Sequence, residues 1–202
     1  MTQPIIHHLS ANDEVLQRII AQLPLPKFRS TKNVFHDLMS CLIEQQIHYR
    51  SSKRIFQKMM DAAGIEMLTV ENFSTLEKKG FQNIKLSAQK YETMLQVVEF
   101  FDQNKVDWAQ KTDAEVREIL SEIKGVGIWT MDMILLYTLE RPDVFPADDY
   151  HLKMMMTKLY GLASSAKLKA QMNSVAEAWS PYKSFAVRYL LTWKEFRKNE
   201  KT

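Results

Sequence analysis

Leu120-Ser-Glu-Ile-Lys-Gly-Val-Gly-Ile-Trp-Thr130 reads as one helix running into Gly125-Val126-Gly127 and a second running out. Glycine permits positive φ and leaves amide N–H groups uncovered. The start of the second helix adds unpaired donors and a partial positive charge. Together these make a seat for one phosphate, with no readout of base sequence. A plain tight turn between packed helices uses the same Gly-x-Gly. The full pattern L-x-x-I-x-G-V-G-x-W-T is far more specific.

The surrounding chain predicts helices as well. Glycine is scarce at five residues and proline at six, so few turns are available. Ser10 with Asp13 resembles a helix start, and Val15, Leu16, Ile19, Ile20 and Leu23 follow at helical spacing until Pro24 and Pro26. Further helices are expected over about 34–43, 51–63, near Leu76, and from Ser87 with Tyr91, Met94, Leu95, Val98 and Phe101 inward. Thr112 and Glu115 form a capping box for a helix reaching about Ile123. Stretches at about 128–140, 150–160, 167–179 and 183–198 complete the set. No segment alternates with period two, so the fold is read as all-α. His7 and His8 are expected in a mobile N-terminal segment. At least one of Met154, Met155 and Met156 should be buried.

The chain has 202 residues, 46% hydrophobic and 25% charged, which excludes disorder and collagen-like repeats. At roughly 150 residues per domain, it is one domain or two small lobes. The single cysteine, Cys41, excludes a disulfide framework, a four-cysteine zinc site and a four-cysteine iron–sulfur cluster. No apolar run approaches the roughly 18–20 residues of a membrane span, and the N-terminus does not read as a signal peptide. The expectation is a soluble cytoplasmic protein. A net charge of +3 allows a polyanionic partner without demanding one.

Val144-Phe-Pro-Ala-Asp-Asp-Tyr-His-Leu152 leads into a new helix. Either Asp148 or Asp149 can cap it by accepting free amide N–H groups, and the helix dipole favours the charge there.

With the hairpin and this acidic pair in place, the chain resembles the helix-hairpin-helix DNA glycosylase superfamily, and within it the AlkA-like DNA-3-methyladenine glycosylase II group. The pattern W-T…P-x-D-D-Y matches, with Asp149 twenty positions after Trp129. Ile43-Glu-Gln-Gln-Ile47 looks like the family's I-x-x-Q-Q-[IVL] segment. Trp179-Ser-Pro-Tyr-Lys-Ser-Phe-Ala186 looks like its W-x-P-[YW]-[RK]-S-[YF]-A motif. Gly80-Phe81 through Leu86-Ser-Ala-Gln-Lys90 loosely resembles its G-L-S-x-x-K-A element. The likeness spans 34 to about 193, without the N-terminal α+β domain of the larger AlkA-like proteins.

The resemblance implies two helical lobes flanking a DNA-binding cleft. One is about 34–146, carrying the helix-hairpin-helix at about 112–140. The other is 1–33 with 147–202, Asp149 lying at the junction. It implies release of alkylated purines of the 3-methyladenine and 7-methylguanine type from double-stranded DNA by base flipping. Asp149 is implied as the catalytic carboxylate, Trp129 and Tyr150 as base-pocket aromatics, and Gln45 or Gln46 as the wedge filling the emptied stack. Gly125, Val126, Gly127 and Thr130 are implied as contacts to the DNA backbone. A monovalent cation on the hairpin carbonyls is also implied, with no metal held by side chains and no cofactor.

Lyase-active relatives carry a lysine at the second position after the last hairpin glycine. Here that position is Trp129, so no strand cleavage is expected. Met133, Leu191 and Thr192 replace pocket aromatics, with Phe28, Phe35 and Trp193 as substitutes to consider. His48 stands where a small hydroxyl residue is common. His151 reads as a helix-surface histidine or a contact to phosphate or Asp149. Lys53, Arg54, Lys124 and Lys153 are candidate phosphate contacts. A monomer is expected, in the cytoplasm with the nucleoid if bacterial and in the nucleus if eukaryotic. Two other readings stay open: a non-catalytic helix-hairpin-helix DNA-binding module, and a glycosylase for an oxidised or deaminated base.

Overall fold

The computed structural model describes residues 2–26, 30–44, 49–82 and 86–199. Among them the chain is helical, with no strand. The elements in order are α1 (Thr2–Asn12), α2 (Glu14–Ile20), α3 (Val34–Glu44), α4 (Tyr49–Ala63), α5 (Phe73–Thr75) and α6 (Ala88–Gln103). They are followed by α7 (Asp113–Ser121), α8 (Ile128–Met133), α9 (Tyr150–Tyr160), α10 (Leu168–Ala176) and α11 (Lys183–Asn199). Single turns of wider π pitch extend α5 over Leu76–Gly80 and α8 over Ile134–Thr138, and a 3-10 turn, Glu177–Trp179, follows α10.

The caps predicted from sequence set several of these starts. The Ser87 side chain accepts from the Lys90 amide to begin α6, and Thr112 with Glu115 closes a reciprocal capping box on α7. Each such cap is worth about 1 kcal/mol.

The expected mobile N-terminal segment is instead a helix. Pro4 falls in the first turn of α1, where its missing N–H costs nothing. Leu9 is fully buried, and the His8 ring meets Tyr182 edge-on at 5.4 Å. Ser10 therefore lies inside α1, and α2 is capped by Asp13 alone, whose Oδ1 accepts from the Leu16 amide at 2.9 Å.

The chain divides into two compact units, residues 30–139 and residues 1–29 with 140–202. The boundaries differ from the expected 34 and 146. Residues 140–146 pack with the terminal unit because their polar groups bond to it. Asp143 accepts from the Ser180 hydroxyl at 2.6 Å and from the Lys183 amide at 3.1 Å.

In the continuous unit, α3 buries Phe35, Leu38, Met39 and Leu42 as its spacing predicts. Each such side chain contributes about 1.5–3 kcal/mol by leaving water. On α6 the inward face is Thr93, Met94 and Val97, whereas Leu95, expected inside, is 40% exposed. Lys90 on α6 donates to the Ile43 carbonyl near the end of α3 at 3.2 Å. Burial holds its ammonium below the usual lysine range. In the terminal unit the core gathers Leu9, Leu16, Leu152, Met156, Trp179 and Tyr189. Of the methionine run, Met155 and Met156 are buried and Met154 faces out.

Candidate functional site

The hairpin is built on α7 and α8. After the Glu122 C-cap, the Val126 amide donates to the Ile123 carbonyl at 3.0 Å and closes the turn. Gly125 sits at φ +97°, where side chains are strained. A Cβ there would also meet Thr93 Oγ1 at 2.4 Å. Gly127 differs, since its φ is −95° and a Cβ would meet nothing within 4 Å. It serves as the N-cap of α8, and the first amides of that helix have no acceptor within it. Lys124, Gly125, Gly127 and Ile128 form an exposed tip, Ile128 at 60%.

Two hairpin residues depart from the expected role in backbone contact. Val126 is buried and its amide is already used in the turn. Thr130 is completely buried, so its side chain packs inward rather than toward a phosphate. Trp129 is half-buried on the first turn of α8. The Ile123 carbonyl keeps a second lone pair after accepting Val126, which fits the implied cation. Among the described residues no His, Cys, Asp or Glu cluster could hold a metal ion.

Sequence reasoning missed the brace of this hairpin. Arg117 on α7 and Asp132 on α8 form an ion pair at 2.7 Å, the carboxylate almost fully buried. Fifteen residues separate them across a turn, so no single-helix spacing reveals the pair.

The acidic pair lies in the terminal unit, and its two members do different things. Asp149 is the N-cap of α9: its Oδ1 accepts from the Leu152 amide at 2.8 Å, and its own amide donates to the Pro146 carbonyl at 2.9 Å. The residue is half-buried. Asp148 instead faces Lys169 at 2.7 Å and Lys153 at 3.4 Å. The hydrogen bond from Lys169 is the main reason its carboxyl lies below the usual range, with Lys153 adding to it. Lys153 thus already faces a carboxylate.

Tyr150, next to Asp149, is 72% exposed and is no core aromatic. Its ring meets His151 edge-on at 5.3 Å. His151 is half-buried rather than on the helix surface. Burial, then the nearby Lys194, lower its pKa against the opposing pull of Asp149 and Glu195. Phe35 is a core residue packed on Phe101, and Trp193 stacks on Phe196 at 5.4 Å beneath Arg197. Gln45, Gln46, His48 and Phe28 lie outside the described residues, as do the side chains of Lys53 and Arg54.

Another polar anchor is Asp13. Its Oδ2 accepts from the Trp179 indole at 2.7 Å and from the Tyr160 hydroxyl at 2.9 Å. Burial and the adjoining carboxylate push the Tyr160 phenol far above its ordinary value. Asp13 thereby ties the head of α2 both to the end of α9 and to the tryptophan of the C-terminal motif.

Comparison with known proteins finds relatives of the same fold. A DNA-3-methyladenine glycosidase from Bacillus halodurans superposes with a TM-score of 0.71 at 26% identity, over 94% of this chain and 88% of that one. The 3-methyladenine DNA glycosylase Mag1 of Schizosaccharomyces pombe, solved in complex with abasic DNA, gives a TM-score of 0.74 at 24% identity, over 93% and 95%. In sequence, DNA-3-methyladenine glycosylase 1 of Schizosaccharomyces pombe is 25% identical over 195 residues, 93% of this chain and 84% of the relative. Residues 39–181 match the description "HhH-GPD superfamily base excision DNA repair protein". With the match spanning most of the chain and the hairpin formed within it, this protein belongs to the HhH-GPD superfamily of base excision DNA repair proteins.

Proposed function

We propose that the protein is a monofunctional DNA glycosylase that flips alkylated purines out of double-stranded DNA and hydrolyses their N-glycosidic bond. The observation that carries this reading is the setting of Asp149. The residue is half-buried, its carboxylate held through Oδ1 at the head of α9, and it is followed by the exposed Tyr150. The capping bond and the catalytic role are compatible, because the bond fixes where the negative charge sits.

As the base departs, the deoxyribose gains oxocarbenium character. A fixed carboxylate stabilises that charge and orients water for attack; electrostatic aid of this kind is worth about 3 kcal/mol or more. Tyr150 and Trp129 offer ring faces to an electron-poor alkylated base, with a cation–π contribution of about 0.5–2 kcal/mol when the base is cationic. The amides at Gly125, Gly127 and the start of α8 receive a phosphate, and hairpin carbonyls such as that of Ile123 would hold a monovalent cation that adds positive charge there. Gln45 or Gln46 fills the gap left by the flipped nucleotide. Trp129 occupies the position where a lyase needs its lysine, so the product is an abasic site with the strand intact. The protein acts as a monomer wherever the genome resides.

Asp149→Asn tests the reading, because asparagine keeps an oxygen for the Leu152 amide and so keeps the cap. Base release is expected to fall about 10²–10³-fold, with binding to an abasic duplex retained. Full activity in this variant would refute the assigned role of Asp149, and absence of base release by the unaltered protein would leave a DNA-binding module without catalysis. Defined duplexes carrying 3-methyladenine, 7-methylguanine, ethenoadenine, hypoxanthine or 8-oxoguanine test the lesion class. Release of 8-oxoguanine alone would overturn alkylation as the target.

A further inference from the structure

The C-terminal motif Trp179–Ala186 contains two serines, and Ser184 is the more deeply placed, 1% exposed in the first turn of α11. Its hydroxyl donates to the Arg141 carbonyl at 2.5 Å and accepts from the Val144 amide at 2.9 Å. Its own amide donates to the Pro142 carbonyl at 3.0 Å. One residue thus holds three positions of the segment that leads to α9.

The rest of that segment is held in sequence. Val144 and Ala147 are buried, Phe145 meets Trp179 edge-on at 5.8 Å, and the Ala147 amide donates to the Phe145 carbonyl at 2.9 Å. The Asp149 amide then donates to the Pro146 carbonyl at 2.9 Å. From Ser184 to Asp149 the chain therefore has little freedom to drift.

Resting on the role of Asp149 given above, we propose that Ser184 is a positioning residue for base excision, which sets the place of the Asp149 carboxylate through the 141–149 segment. The site needs a small side chain that donates and accepts at once, which a hydroxyl does and a methyl cannot. Alanine would remove both side-chain bonds and take this partner from the buried Val144 amide. A displacement of about 1 Å in a reacting group can cost roughly 10²-fold in rate.

The test measures single-turnover release of 7-methylguanine from a duplex oligonucleotide and affinity for a duplex with a tetrahydrofuran abasic analogue, using the full chain. Ser184→Ala is expected to slow release about 10- to 100-fold while affinity is unchanged, and Ser184→Thr to recover most of the rate. In an Asp149→Asn background, Ser184→Ala is expected to cost nothing more. A wild-type rate for Ser184→Ala, an equal loss in the Asp149→Asn background, or a loss matched by weaker binding each overturns the proposal. If Ser184→Ala does not fold, Asp143→Asn loosens the same segment at Ser180 and Lys183. The same non-additive loss supports the proposal, and a wild-type rate overturns it. Full activity of Asp149→Asn overturns the role of Asp149 and this proposal with it. A wild-type Ser184→Ala beside an inactive Asp149→Asn overturns this proposal alone.

Discussion

Arg117 on α7 and Asp132 on α8 close the hairpin from behind, the guanidinium Nη2 lying 2.7 Å from a carboxylate oxygen whose side chain is 5% exposed. The turn therefore does not rest on its glycines alone. Removing the arginine takes this ion-pair partner from a buried charge, which costs more than the pair itself contributes. Arg117→Ala is expected to lose about 1–3 kcal/mol of stability, and Tm to fall by about 2–4 °C for each kcal/mol. Affinity for abasic duplex should weaken alongside. Thermal melts and fluorescence anisotropy measure both, and an unchanged Tm would show that the brace is idle.

The two hairpin glycines should respond differently to alanine. Gly125→Ala meets a positive φ and a contact at 2.4 Å with Thr93, so destabilisation is expected. Gly127→Ala has ordinary φ and open space around the new methyl. It should fold with a shift within about 0.5 kcal/mol, yet bind DNA more weakly because the methyl stands at the exposed tip. Equal Tm values for the two variants would contradict the assignment.

Asp13→Ala should act within the terminal unit. It removes the α2 cap and the acceptor of both Tyr160 and the fully buried Trp179. Hydrogen bonds to a charged group contribute about 1.5–3 kcal/mol each, so a large fall in Tm is expected. In the intact protein, Tyr160 should not ionise in a spectrophotometric alkaline titration until the fold opens, because its pKa is strongly raised. A full complement of tyrosines titrating while the protein is still folded would sink this account.

Asp148 carries a pH signature. Lys169 first, and Lys153 second, hold its carboxyl below the ordinary 3.8. The folded value is lower than the unfolded one, so the contribution is present above the ordinary value and disappears as pH falls through the depressed one. Melts from about pH 5 to about pH 2 should show wild type losing its advantage over Asp148→Asn. The same variant frees two lysines, and the slope of log K against log salt for DNA binding should steepen, each new phosphate contact adding about 0.9. An unchanged slope would mean that neither lysine reaches the DNA.

Much of this fold was legible in the chain because caps and apolar spacing are local. Ser87 and Thr112 announce α6 and α7, the pair Asp148–Asp149 announces α9 without telling which of the two caps it, and the Gly125–Gly127 turn stands where its motif puts it. Helix α1 was hidden because it carries no cap signal before Pro4 and only Leu9 is completely buried on it. The buried position of Thr130 and the exposure of Leu95 depend on which neighbour lies across each face, and periodicity does not carry that. At the site, a cap was readable on one of Asp148 and Asp149, with Asp148 the expected one, whereas Asp149 takes it; the Arg117–Asp132 brace and the grip of Ser184 on Arg141 and Val144 join residues far apart in the chain. Such partners have no local signal.

The bond from Trp179 to Asp13 spans 166 positions, whereas residues 30–139 form one continuous stretch. During synthesis the continuous unit can finish while the opening helices still lack their mates, since domains fold as units as they emerge. A nascent chain released before Trp179 carries a completed hairpin and an unfastened α9. The order in which the ribosome delivers this protein thus completes the hairpin ahead of the setting of Asp149.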